Sequence, residues 1–370
     1  MTGVSASSSN VAGRRRQTRL SDRATNALAL QSAEDEAVAS ADPLACDKFF
    51  AEEFVSLNRD HATSLLALRA GNSAREALAI FEPTRVVALA ILRDLGMMAA
   101  ALVHDGGPSA ELAQVRRALA RMGRIADEVP RDTVFSYGPR NPRGTRERHF
   151  TGTSDERAFI GSFREGITAT ASSIVALRKA CEMSLDDEDF PATVDAAAER
   201  LRQVVEIMVR VRREIRAEVF TGEIRPFFEI IEIAGREFVA PGGAQIPLLA
   251  IDMMTWADRI PQLQLYRYLR ENVDYYPRLY RDLIEDIEGR PSLLQRLNAY
   301  SKGKSAGRPA QAVYRLMAEL VRFRFPHRKV TQENMRLRAY GSYQTQVLDQ
   351  LLENTVAAQV RIKSLVEKML

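Results

Sequence analysis

The stretch Leu201-Arg-Gln-Val-Val-Glu-Ile-Met-Val-Arg-Val-Arg-Arg-Glu-Ile-Arg-Ala-Glu-Val219 decides the fold class. Its apolar residues Val204, Met208, Val211, Ile215 and Val219 recur at spacings of three and four, with Glu and Arg between them. On a helix this turns one stripe toward a core and the rest toward water. The same pattern extends outward through 77–103, 112–129, 158–183, 248–256, 263–287 and 310–325. In the first of these, Pro83 is expected at the first helical position and Gly106-Gly107-Pro108 at the close. Alternating strand patterns are nearly absent, and only 230–239, with Gly235 in the middle, reads as a short hairpin. The fold class is all-α. A disordered tail is expected over 1–40, a smaller N-terminal helical region over 41–130 and a large helical domain over 131–370.

A chain of 370 residues that is 46% hydrophobic and 27% charged can bury one large core or two smaller ones, which excludes a mostly disordered protein. The 52 Lys and Arg against 48 Asp and Glu leave a net charge of +4, too small an excess to argue for nucleic acid. Two cysteines, Cys46 and Cys181, cannot build a disulfide framework or a four-thiolate metal site. They read as small core residues, and their scarcity fits a reducing cytoplasm. The first forty residues carry Arg14, Arg15 and Arg16 but no apolar run behind them, as a secretory signal requires. They read as a tail, with a transit peptide or nucleic-acid arm as the alternatives. The most apolar segment, 86–103, is interrupted by Arg93 and Asp94, so no membrane partner is expected.

Two stretches break the helical pattern. One, 135–152, is a Pro/Gly loop with Arg140, Arg143, Arg146, Arg148 and His149; loops of such length are functional or disordered. The other, Phe220-Thr-Gly-Glu-Ile-Arg-Pro-Phe-Phe228, bends directly after the long helix and leads through Pro241-Gly-Gly-Ala-Gln-Ile-Pro247 into the next one. Both are placed to face a shared cavity. The run 301–307 reads as an exposed loop. Phosphate-loop, HExxH, paired-Cys and Gly-x-Ser-x-Gly signatures are missing.

The histidines are His61, His104, His149 and His327. His61 and His104 read as helix-end residues and His149 as a loop-surface residue. His327, in Arg322-Phe-Arg-Phe-Pro-His-Arg-Lys-Val330, follows a strongly apolar helix and precedes a second helical stretch. It is either an iron ligand or a structural side chain. Arg225 lies among Phe220, Phe227 and Phe228, where a guanidinium is costly unless paired. It either holds a substrate carboxylate bidentately or pairs with Glu223 or Glu229.

Taken in order, these segments resemble the haem-dependent tryptophan and indoleamine dioxygenase superfamily, most closely its monodechloroaminopyrrolnitrin synthase branch, over roughly residues 130–360. The family's proximal histidine, followed by a Gly-Thr-Gly-Gly-Ser/Thr loop, is similar to His327 followed by Gly341-Ser342-Tyr343-Gln344-Thr345. Tyr343 and Gln344 replace the second glycine pair. The family's helix end with Phe and, five residues on, Arg resembles Phe220 and Arg225. Its Gly-rich turn resembles Pro241–Pro247 leading to Asp252. Its distal helix with an aromatic and a serine resembles Phe159 and Ser162.

The resemblance implies haem b held by His327 and dioxygen as co-substrate. It implies a tryptophan-like amino acid whose carboxylate meets Arg225, with Phe159 and Phe220 around the ring, and with Ser162 and Ser342 near the chemistry. The loop arginines 140, 143, 146 and 148 would then close over the pocket or meet haem propionates, or else form a solvated surface loop. The outcome is oxidative cleavage of the indole in one branch and rearrangement with loss of the carboxylate in the other. The alternatives are a haem sensor without turnover and an all-α interaction protein that has kept the fold. The family includes monomers and oligomers.

Overall fold

The computed structural model describes residues 29–107, 109–256, 264–301, 307–336 and 342–367. The expected unstructured tail does not reach residue 40. Residues 29–40 form helix α1, whose Val38 and Asp35 are buried because Arg140 and Arg93 reach across to it. Helix α2 follows over 47–59, with a π-helical turn at Phe50–Phe54. Then come α3 (Thr63–Ala79), α4 (Arg85–His104) and α5 (Ser109–Ala126), which pack on one another.

Pro83 stands two residues before α4, not at its first position, because Thr84 takes the cap and accepts the Val87 N–H at 3.3 Å. Gly106, in the left-handed region with φ 64°, closes α4 and lets the Gly107 N–H return to the Leu102 carbonyl at 2.7 Å. By length and composition α4 is apolar enough to cross a membrane, but it lies mostly inside the protein. Its Arg93 and Asp94 are fully buried and paired with each other at 2.7 Å.

Helices α6 (Ser154–Glu182) and α7 (Phe190–Glu214) pack along their length, with α13 (Gly307–Arg336) on α7 and α14 (Ser342–Glu367) on α13. The helix expected to run to Val219 stops at Glu214, where Ile215 is extended (φ −108°, ψ 113°). Asp155 in the first turn of α6 causes the break. It accepts the Arg216 backbone N–H at 2.8 Å and pairs with the Arg216 guanidinium at 2.8 Å, starting a new helical segment, α8 (217–227).

Strands β1 (Ile231–Ile233) and β2 (Arg236–Phe238) pair antiparallel with Ile231 opposite Phe238. The two-residue turn uses Ala234 and Gly235 at φ 53° and 76°, so the expected hairpin forms. Helix α9 is Leu248–Thr255. The single helix expected over 263–287 is two, α10 (Gln264–Val273) and α11 (Arg278–Ile287). Pro277 separates them, having no N–H to give and disfavouring helical geometry at Tyr276. Helix α12 is Leu293–Tyr300, opened by a Ser292/Gln295 capping box.

The largest departure is at α13. The chain does not leave the helix at Phe325 but continues through Pro326 to Arg336, so His327 sits mid-helix. Pro326 costs one backbone hydrogen bond, to the Arg322 carbonyl. The packing of α13 on α7 and α14 outweighs that loss.

The arginine-rich loop is neither a lid nor a solvated surface loop. Arg140 is buried, donating to Asp35 at 2.7 Å and Glu128 at 2.6 Å. Arg148 is buried against Asp94 at 3.1 Å and Asp47 at 2.7 Å, over the Phe50 ring. Arg146 pairs with Asp47, and only Arg143 points to solvent. His149 is not at the surface either, since its Nε2 meets Glu147 at 2.7 Å. The acidic residues of α1, α2 and α4 supply countercharges that local sequence does not reveal.

Candidate functional site

A cavity of about 950 Å³ lies among α6, α7, α8, the hairpin, α9, α13 and α14, at the upper end of the range for small-molecule and cofactor sites. It collects Phe159, Ser162, Phe220, Arg225 and His327, residues from segments far apart in the chain. Ser342 opens α14 at the backbone level, but its side chain and Gly341 fall outside the described residues.

Each position has a local cause. On α6, Phe159, Ser162, Phe163 and Gly166 fall at spacings of three and four and make one face. The Phe159 ring packs edge-on against Phe163 at 4.7 Å and Phe220 at 5.0 Å, joining α6 to α8. The Ser162 hydroxyl donates to the Phe159 carbonyl at 2.6 Å, so its oxygen is left as an acceptor toward the cavity. Phe220 and Arg225 are five residues apart and still share the cavity because Phe220–Ile224 is a π-helical turn, closed by the Arg225 N–H on the Phe220 carbonyl.

His327 stacks on Phe323 at 5.3 Å and 28°. Burial first, and then the Arg324 cation beside it, push its pKa down to about 4. At neutral pH the ring is therefore uncharged and keeps a lone pair for a metal. A Cβ placed on Gly243 would lie 3.4 Å from His327 Nε2, so the Pro241–Pro247 turn runs beside that nitrogen and a side chain there would touch the ring.

Four residues that carry the site were not assigned roles from the sequence. Arg324 lines the cavity three residues before His327, and its Nη2 pairs with Asp252 at 2.5 Å. Its Nε and Nη1 are buried with no partner among the described residues. Asp252 also accepts the Trp256 indole N–H at 2.8 Å, with the Arg324 guanidinium 5.7 Å over the ring. The three-residue spacing of Arg324 and His327 was the available signal, hidden because the helix was read as ending at Phe325. His104, the last residue of α4, also lines the cavity, with its ring 4.8 Å from Phe227.

The chemistry on offer is a neutral imidazole, guanidinium N–H groups with no acceptor among the described residues, the cation Arg225 and aromatic walls. This suits a metal-bearing ligand with acidic substituents together with an aromatic amino acid. Of the expected site, the structure brings five residues to one cavity and sets the loop arginines apart from it. The family model for monodechloroaminopyrrolnitrin synthase PrnB matches residues 82–364, a span that takes in every residue lining the cavity and extends N-terminal of the resemblance noted above, and the chain belongs to that family.

Proposed function

We propose that this protein is a haem-dependent oxidative enzyme acting on tryptophan or a tryptophan-like amino acid, with dioxygen as co-substrate, in pyrrolnitrin-type secondary metabolism. The observation that carries the reading is the convergence of Phe159, Ser162, Phe220, Arg225 and His327 on one cavity.

The residues present fit a haem. His327 is neutral and is the residue that would hold the iron, with a glycine, Gly243, beside its Nε2. The N–H groups of Arg324, on the same helix and without a partner among the described residues, suit a propionate. When bound, a haem would supply the oxidative chemistry of dioxygen.

The chain's own residues then orient and exclude. Arg225 holds the substrate carboxylate. Phe159, Phe220 and Phe163 pack the indole and keep water from it. Such orientation is worth several kcal/mol of barrier, on the order of 7–11 kcal/mol at the limit. Ser162 offers its oxygen as an acceptor for a substrate N–H, and Ser342 is assigned the same neighbourhood by resemblance. Cleavage or rearrangement of the ring depends on how these groups hold the indole.

The test is an absorption spectrum of the freshly purified protein, oxidised and then reduced under carbon monoxide, beside His327→Ala. A Soret band that weakens or shifts in the variant supports the reading. A colourless protein that takes up no added haemin sinks it. Haem binding without product from any tryptophan analogue under oxygen favours a sensor instead.

A further inference from the structure

Glu156, in the first turn of α6, is fully buried, does not line the cavity and has no basic partner among the described residues. Its Oε1 accepts the Tyr137 hydroxyl and the Phe150 N–H, each at 2.7 Å. Its Oε2 accepts the Thr151 N–H and hydroxyl, each at 2.7 Å, and the Gly152 N–H at 3.0 Å. A buried carboxylate is tolerated when its lone pairs are filled in this way.

The groups it holds are the ones that grip the chain beyond Arg225. The Phe150 ring stacks on Phe227 at 4.6 Å and 11°, and Tyr137 meets Phe228 edge-on at 5.6 Å and 89°. Both rings follow Arg225-Pro226 in the 3₁₀ turn, where the Phe228 N–H returns to the Arg225 carbonyl at 2.9 Å. Pro226 fixes φ between them, so movement of Phe227 or Phe228 is passed to Arg225.

We propose that Glu156 is the positioning residue that aims Arg225 into the cavity, acting through Phe150 and Tyr137. This rests on the reading above that Arg225 binds a substrate carboxylate. In Glu156→Gln an amide N–H₂ faces backbone N–H donors, so the 150–152 segment must shift and the Phe150–Phe227 stack loosens.

The experiment measures binding of L-tryptophan and of tryptamine, which lacks the carboxylate, by calorimetry on the protein as purified. Glu156→Gln is expected to weaken L-tryptophan tenfold or more while changing tryptamine less than twofold. In an Arg225→Ala background the same change is expected to add nothing. Tyr137→Phe, which keeps the ring, gives the same pattern at about threefold and serves if Glu156→Gln fails to fold.

Equal weakening of both ligands, or a full effect without Arg225, overturns the proposal. So does an unaltered L-tryptophan affinity in Glu156→Gln when Arg225→Ala is weakened. An unaltered affinity in Arg225→Ala itself overturns the carboxylate reading and this inference with it.

Discussion

Arg324 and Asp252 form a one-sided pair in the cavity wall. A single guanidinium nitrogen, Nη2, reaches both carboxylate oxygens at 2.5 Å, while Nε and Nη1 have no partner among the described residues. Hydrogen bonds to a charged group contribute about 1.5–3 kcal/mol each. Arg324→Leu should therefore cost about tenfold or more in haemin affinity by titration of stripped protein. Trp256, the sole tryptophan, packs against this pair, and its emission should be quenched as haemin enters. Unquenched emission at full uptake would mean that haemin binds elsewhere.

Gly243 faces the nitrogen proposed to hold iron. Gly243→Val brings side-chain carbon to within reach of His327 Nε2, since a Cβ alone would stand 3.4 Å away. We expect haemin uptake to be lost while the helical circular dichroism is kept. Normal uptake would show that the ligand approaches His327 from another side.

Asp94 is buried between Arg93 and Arg148. Burial alone pushes its pKa up, yet the two guanidinium groups outweigh it and hold the carboxyl below its usual range. A depressed folded-state value stabilises the fold fully above pH ~4, and that contribution is lost as pH falls further. Asp94→Asn leaves Arg93 buried without its countercharge, while Arg148 keeps Asp47, and should cost ~3–5 kcal/mol at neutral pH, measured by urea unfolding. The difference from wild type should shrink on acidification. A variant as stable as wild type at pH 7 contradicts the assignment.

Both thiols are held protonated. Burial pushes Cys46 up to about 12 and Cys181 up to about 11. Since the thiolate is the reactive form, iodoacetamide at pH 8 should label neither residue in the native protein and both in urea. Rapid native labelling of either residue, read by mass spectrometry, would rule this out.

Much of the fold was legible in the sequence because helical periodicity is local. The apolar spacings on α7 and the Gly235 turn each announce their own geometry. Breaks and continuations were not legible where distant groups impose them. Asp155 ends α7 from another helix, and packing carries α13 across Pro326. The loop arginines were misread for the same reason, as Asp35, Asp47, Asp94 and Glu128 lie far from them in sequence. At the site, Phe159, Ser162, Phe220, Arg225 and His327 could be named from motif order, but Arg324 and His104 could not.

By itself the sequence determined an all-α chain, its family and a short list of candidate site residues, because residue type and spacing carry that information directly. Only the tertiary structure decided that those residues share one cavity, that His327 sits mid-helix with an uncharged ring, and that two Arg324 nitrogens beside it lack acceptors among the described residues. Desolvation and hydrogen-bond satisfaction depend on what surrounds a group in space, and periodicity along the chain says nothing of that.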